Sequence, residues 1–270
     1  MELRPIYFPE PLLEGVIIER KMQFLILVNL NGETVPCHCP TSWSIGNLNL
    51  AGRPCLLSRS KDPARKTKFT VEAVSTCRPE DPDKTWIGIN QTAANQYVEF
   101  YLEQGGFRDL VGDNVKIRRA RLSGKANLDF VVGNISLAVT VPLVDLSLDI
   151  PEEMRMEVVK PLALAERYLT RSAKLRYSLP GNKRTVLLAV YLCDQPDYRL
   201  VEACGEDPRL REKREVTEKL LSMGIEIWQA NFNINQEAVC LSRCWQLHTR
   251  ESIITDTSGF STFYSGIRSF

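Results

Sequence analysis

No run in this chain is apolar for long enough to span a membrane. Its first residues, M-E-L-R-P-I-Y-F-P-E-P, carry acids and prolines where a secretory leader needs a basic start and a continuous apolar core. The expectation is a soluble, cytoplasmic protein with no membrane partner. Charge of one sign is also missing: 34 Lys and Arg against 33 Asp and Glu leave +1 at neutral pH. Any attraction to a polyanion therefore has to come from local patches. Histidine occurs twice, at His38 and His248. In Cys37-His38-Cys39, strand alternation puts the two thiols on one face and the imidazole on the other. A zinc site would need Cys55, Cys77, Cys240 or Cys244 brought in by folding. The eight cysteines are too irregularly spaced for a disulfide framework, and reduced, buried thiols are the expectation. There is no internal repeat and no low-complexity tract.

What is present fits a globular protein of two domains: 270 residues, 44% hydrophobic and 25% charged. From Gly15 the pattern has period two. V-I-I-E-R is followed by F-L-I-L-V-N-L, a turn at Asn31-Gly32, and E-T-V-P-C-H-C-P, a strong hairpin signal. Runs from Arg53 to Ser58 and from Lys68 to Val74 add further short strands. With almost no helical period among them, they predict a small closed barrel of the OB type over residues 1–80. The polar, proline-bearing stretch from Cys77 to Lys84 is taken as the boundary.

Beyond it, Trp86 to Ile89 reads as a strand and Asn90 as the cap of a helix running to Gln104, stopped by Gly105-Gly106. Strands follow at 114–122, 126–132 and 135–144, then a helical region from Pro151 to before Pro180-Gly181. Thr185 to Leu192 is a continuous apolar run of the kind that forms a buried strand. Asp207-Pro208 opens a helix stopped at Gly224, and Ile225–Ala230 and Ala238–Leu247 are the last strands. Strand and helix alternating around buried runs predict an α/β domain with a mixed central sheet over residues 84–248. Residues 249–270 form a tail whose Phe260, Phe263, Tyr264 and Phe270 favour docking over plain disorder.

The stretch from Gly124 to Asp149 carries the chemical question. Two apolar β runs joined at Gly133-Asn134, with Asp129 in the first, have the outline of a nuclease core in which an Asp and an acid-x-Lys converge on a divalent cation. Here the second strand offers Ala138 and Thr140 where acid and lysine would stand.

The order and spacing of several stretches resemble the sugar fermentation stimulation proteins, in which an OB-like barrel precedes a restriction-endonuclease-like domain. Ile18-Glu19-Arg20-Lys21-Met22-Gln23-Phe24 is similar to that family's first strand. Cys37-His38-Cys39-Pro40-Thr41-Ser42 is similar to its H-C-P-N-T-G turn, and Ala64-Arg65-Lys66-Thr67 to its K-R-K-Y segment. Gly88 to Asn95 resembles its V-N-T-x-x-A-N helix start, and the likeness runs on through Leu128-Asp129-Phe130 and Glu166-Arg167 to the strand at Val186. It covers Gly15 to about Leu247. The resemblance implies that Asp129 matches the family's metal-binding Asp. Leu137-Ala138-Val139-Thr140 replaces I-E-V-K, and Thr41-Ser42-Trp43 replaces Asn-Thr-Gly. A single carboxylate holds magnesium poorly, so Asp129 reads as a remnant, insufficient alone for catalysis or metal binding. Asp145 and Asp149, or Lys160 and Lys174, are where a relocated site would draw its groups.

Two basic clusters remain. Arg59, Lys61, Arg65, Lys66 and Lys68 fall beside the barrel with Asp62 the one acid among them. Lys116, Arg118, Arg119, Arg121 and Lys125 fall on one hairpin, where alternation puts Arg119 and Arg121 on one face and Lys116 and Arg118 on the other. Such concentration of basic charge in a nearly neutral chain points to phosphate contact. Phe69, Trp43 and Phe24 are the candidates for stacking bases. The expectation is a divergent, non-catalytic pseudonuclease that binds DNA or RNA through its backbone with little sequence preference, without a cofactor. Two alternatives stay open: a magnesium-dependent nuclease with relocated residues, and an interaction scaffold in a ribonucleoprotein assembly. Homodimer or larger assembly is likewise open.

Overall fold

The computed structural model describes residues 3–41, 48–113, 115–119, 129–141, 184–193 and 218–248. The chain enters through a two-residue strand, β1 (Ile6–Tyr7), which pairs antiparallel with Val239 and Ala238 near the other end of the described chain. The period-two runs then become β2 (Leu13–Met22), β3 (Leu25–Leu30) and β4 (Glu33–His38). Asn31 and Gly32 join β3 to β4 with φ of 52° and 90°, the left-handed pair that a two-residue hairpin turn demands. The Asn29 side chain accepts the Gly32 N–H at 2.9 Å.

β5 (Pro54–Arg59) and β6 (Phe69–Ser75) complete the barrel. Closure comes from a parallel pairing of β4 with β6, Cys37 opposite Phe69 and His38 opposite Thr70, which joins the ends of the order β4-β3-β2-β5-β6. Ile17, Ile26, Val28, Leu57 and Val71 fill the interior with Cys37, Cys39 and Cys55, all essentially without solvent contact. The alternation expected of Cys37-His38-Cys39 therefore holds: both thiols point into the core and the imidazole stays partly exposed.

β7 (Trp86–Gly88) adds to the outer side of β6 and leads into α1 (Gln91–Glu103). Asn90 stands at the N-cap position, but its side chain caps no helical amide. It donates instead to Glu72 at 2.8 Å and accepts the Thr92 hydroxyl at 2.7 Å. The helix buries Ala94, Tyr97, Val98, Tyr101 and Leu102 and ends before Gly105, whose φ is +73°. Tyr97 and Tyr101 lie 6.2 and 5.7 Å from the Phe232 ring, pairs that contribute about 0.5–1.5 kcal/mol each beyond the area they bury.

After the short α2 (Arg108–Val111) come β8 (Ile117–Arg119), β9 (Phe130–Val132), β10 (Ile135–Thr140), β11 (Arg184–Tyr191), β12 (Ile225–Ile234) and β13 (Ala238–His248). Their order is β1-β13-β12-β11-β10-β9-β8, with β10, β11 and β12 mutually parallel and the other pairings antiparallel. This is the mixed central sheet expected beside the barrel. Residues 218–222 are helical and the turn after them has Gly224 at φ +76°. The expected helix from Pro151, most of the one from Asp207, and the tail lie outside the described residues. No helix among the described residues is long and apolar enough to cross a membrane.

β1 belongs to the second sheet, and β7 extends the barrel sheet. The two units share β11. Its Val186, Leu188 and Val190 pack with α1, Trp228 and Phe232, while the alternate residues Ala189 and Tyr191, followed by Cys193, join the barrel's core. At the seam, Gly88 donates its N–H to the Leu192 carbonyl at 2.7 Å, and a Cβ on Gly88 would stand 2.5 Å from that of Leu192.

Candidate functional site

Asp129 sits immediately before β9, at the end of its pairing with β10, whose last registered pair is Leu137 with Phe130. Oδ2 accepts the Val139 N–H at 2.8 Å and Oδ1 accepts the Asn95 side-chain amide at 3.0 Å, so α1 and the hairpin meet on this carboxylate. Leu137, Ala138 and Val139 are all buried. Where a divalent cation would require converging oxygens, the described residues place a methyl group and an already hydrogen-bonded carboxylate. Among them no group of three or more His, Cys, Asp or Glu is gathered as a metal site requires. Asp145, Asp149, Lys160 and Lys174 lie outside the described residues.

The two basic clusters fare differently. On β8, Arg119 forms a two-pronged pair with Glu99 of α1, its Nε donating to Oε1 at 2.7 Å. The hydrogen bond from Arg119 holds the Glu99 carboxyl below its ordinary range. Arg119, read from the sequence as a phosphate contact, thus pairs with a carboxylate of α1. Lys116 and Arg118 are described on or beside the same strand, while Arg121 and Lys125 fall outside the described residues.

At the barrel, Arg59, Lys61 and Arg65 line one polar cavity of about 290 Å³, whereas Lys66 and Lys68 are not part of its lining. The cavity opens where the β5–β6 connection meets β4 and the start of α1, and His38, Glu72, Asn90 and Thr92 complete its polar walls. Arg59 lies over the Phe69 ring at 5.5 Å and Arg65 donates to the Thr70 hydroxyl at 3.2 Å. Burial, and then the charge of Arg65, push the His38 pKa down.

Of the three stacking candidates, Phe69 belongs to the barrel core, because its strand is buried along its whole length. Trp43 lies outside the described residues. Phe24, in the β2–β3 turn, is 50% exposed and stacks on His38 with ring centroids 6.4 Å apart and planes 19° from parallel. A π-face is thus one ring away from the cationic cavity.

Sequence reasoning passed over Glu72 and the residues around it. Glu72 is 7% exposed, accepting the Ser58 hydroxyl at 2.6 Å and the Asn90 amide at 2.8 Å. A lone acid inside the apolar run F-T-V-E-A-V was the available signal. Thr41, almost fully buried, donates to Gln91, whose amide reaches the Val141 carbonyl at 2.6 Å, while Arg20 donates to the Thr41 carbonyl. This chain of contacts ties the barrel turn to α1 and to the end of β10.

The family description SfsA N-terminal OB domain matches residues 18–89. The sugar fermentation stimulation protein homolog of Synechococcus sp. is 33% identical over 129 residues, covering 47% of this chain and 51% of that protein. The homolog from Prochlorococcus marinus (strain MIT 9515) is 35% identical over 136 residues, covering 49% and 54%. The matched region thus spans about half the length of these relatives. Among solved structures, Pyrococcus furiosus SfsA in complex with Ca2+ superposes with a TM-score of 0.64 at 15% identity, covering 90% of this chain and 97% of that one, a likeness of fold. Residues 18–89 thus match the SfsA N-terminal OB domain, about half of the chain is similar to sugar fermentation stimulation protein homologs, and the likeness to the solved SfsA structure is one of fold.

Proposed function

We propose that this protein binds nucleic acid through the barrel face around the Arg59, Lys61 and Arg65 cavity and does not cleave it. The observation that carries the reading is the placement of three cations in one cavity beside the half-exposed Phe24 ring stacked on His38. Cations track a phosphate backbone and an aromatic face accepts any base, so the pairing supports backbone-directed binding of single strands with little sequence preference. The pseudonuclease half of the proposal rests on the hairpin. Asp129 spends its carboxylate on Val139 and Asn95, and Ala138 brings no second acid. The archaeal structural neighbour is described with Ca2+; the described residues here do not fit such an ion, and no cofactor enters the proposed activity.

The test is binding of labelled single- and double-stranded DNA and RNA across a salt series, with and without magnesium, while the same samples are followed for cleavage. Binding that weakens steeply with salt and leaves the strands intact is the expected result. Magnesium-dependent cleavage abolished by Asp129→Ala would establish the nuclease alternative. Absence of binding to every strand would leave the scaffold reading in its place.

A further inference from the structure

The barrel cavity is not uniformly basic. Arg59, Lys61 and Arg65 come from the end of β5 and the connection after it, whereas Glu72 comes from the buried strand β6. A carboxylate only accepts hydrogen bonds, and each of its oxygens can take two. Glu72 receives the Ser58 hydroxyl on Oε1 and the Asn90 amide on Oε2, so each oxygen keeps an acceptor position beyond that bond. Phosphate is repelled from such a group and drawn to the three cations. The part of a ligand that meets Glu72 must carry a donor.

The volume of about 290 Å³ stands at the lower edge of the roughly 300–1,000 Å³ common for small-molecule sites, the scale of one nucleotide unit and not of a folded partner. Anion, donor and aromatic face, as offered by cations, carboxylate and the Phe24–His38 stack, are the three parts of a nucleotide.

Resting on the nucleic-acid reading above, we propose that this cavity is a ribonucleotide subsite. Arg59, Lys61 and Arg65 hold a phosphate, the base lies against Phe24, and Glu72 accepts the ribose 2′-hydroxyl. The protein accordingly prefers single-stranded RNA to DNA of the same sequence, because the 2′-hydroxyl is the donor that DNA lacks.

The experiment uses the full chain and fluorescence anisotropy at fixed salt, with three labelled single strands of one sequence: RNA, DNA and fully 2′-O-methylated RNA. RNA is expected to bind about tenfold or more tightly than the other two, the scale of one charge-assisted hydrogen bond. Since the ligand and not the protein is altered, folding does not confound the comparison. Glu72→Gln, near-isosteric, is expected to narrow the RNA-to-DNA ratio several-fold. Equal affinity for the three strands overturns the subsite and leaves nucleic-acid binding standing. A preference that follows base identity whatever the sugar also overturns it, since Glu72 would then be reading a base amino group. Failure of all three to bind overturns this inference together with the reading on which it rests.

Discussion

The Oδ2 of Asp129 accepts the backbone N–H of Val139 at 2.8 Å, a side chain doing what a neighbouring strand's carbonyl would otherwise do. The ladder between β9 and β10 has its last pair at Leu137 and Phe130, so the carboxylate meets a β10 donor just beyond that ladder. The side chain thereby finishes the β9–β10 hairpin.

Replacing Asp129 with Ala leaves the Val139 N–H and the Asn95 amide short of an acceptor. The expected cost is about 1–3 kcal/mol, the usual penalty for an abandoned buried donor. Urea denaturation reads it as a lower midpoint at unchanged slope. Magnesium is expected to leave the thermal midpoint of the unaltered protein in place. A magnesium-dependent rise that Asp129→Ala removes would mean that the carboxylate holds metal after all.

Because Lys61 and Arg65 line the cavity while Arg119 is paired with Glu99, the two basic clusters are expected to contribute unequally. Lys61→Ala should reduce the salt dependence of binding by about one unit of slope. Arg119→Ala should change affinity less. Phe24→Ala should weaken single-strand binding by about 1–3 kcal/mol with little change in the melting temperature, as its ring is half exposed. A slope altered more by Arg119→Ala than by Lys61→Ala would move the interface to β8.

The pair between Arg184 on β11 and Glu226 on β12 makes part of the fold's stability acid-sensitive. Both guanidinium prongs lie 2.7 Å from the carboxylate, and Trp228 donates to the same group at 3.2 Å. The hydrogen bonds from Arg184 hold the Glu226 pKa below its ordinary value, against the opposing effect of burial. A depressed folded value gives stability that is fully present above the unfolded pKa, about 4.3, and lost as pH falls through the folded one. Denaturation midpoints of the unaltered protein should therefore drop more steeply below about pH 4.3 than those of Glu226→Gln. Parallel pH profiles would exclude the pair as a source of acid sensitivity.

The thiols should react in a set order. Burial pushes Cys37 up to about 12 and also raises Cys55. At Cys77 burial acts in the same direction, but hydrogen bonds from Thr85 and Ser75 outweigh it and lower the pKa. Iodoacetamide at neutral pH, read by peptide mass spectrometry, is expected to label Cys77 before Cys37 or Cys55. Early labelling of Cys37 would show that the barrel opens under native conditions.

The strands of the barrel were legible because their information is local. Period-two alternation set which residues of β2 and β3 face inward, and Asn31-Gly32 supplied the left-handed turn between β3 and β4. The same alternation assigned Cys37 and Cys39 to the core and His38 to the rim. At β6 this logic ran out. A strand buried along its whole length has no outward face for the alternation to mark, so Phe69 read as a stacking platform and Glu72 was passed over. Asn90 was legible as the residue before a helix but not as a partner of Glu72, because capping rules describe only the amides that follow it.

The sequence by itself determined the two-unit order, the strand faces, the hairpin turns and the absence of acid and lysine at Ala138 and Thr140, since each is a property of neighbours along the chain. Only the tertiary structure decided that β4 closes on β6, that β11 offers one face to α1 and the other to the barrel, that Arg119 is committed to Glu99, and that three cations and Glu72 share one cavity. These contacts join residues far apart in the chain, and they form only where packing the two cores brings the strands that carry them side by side.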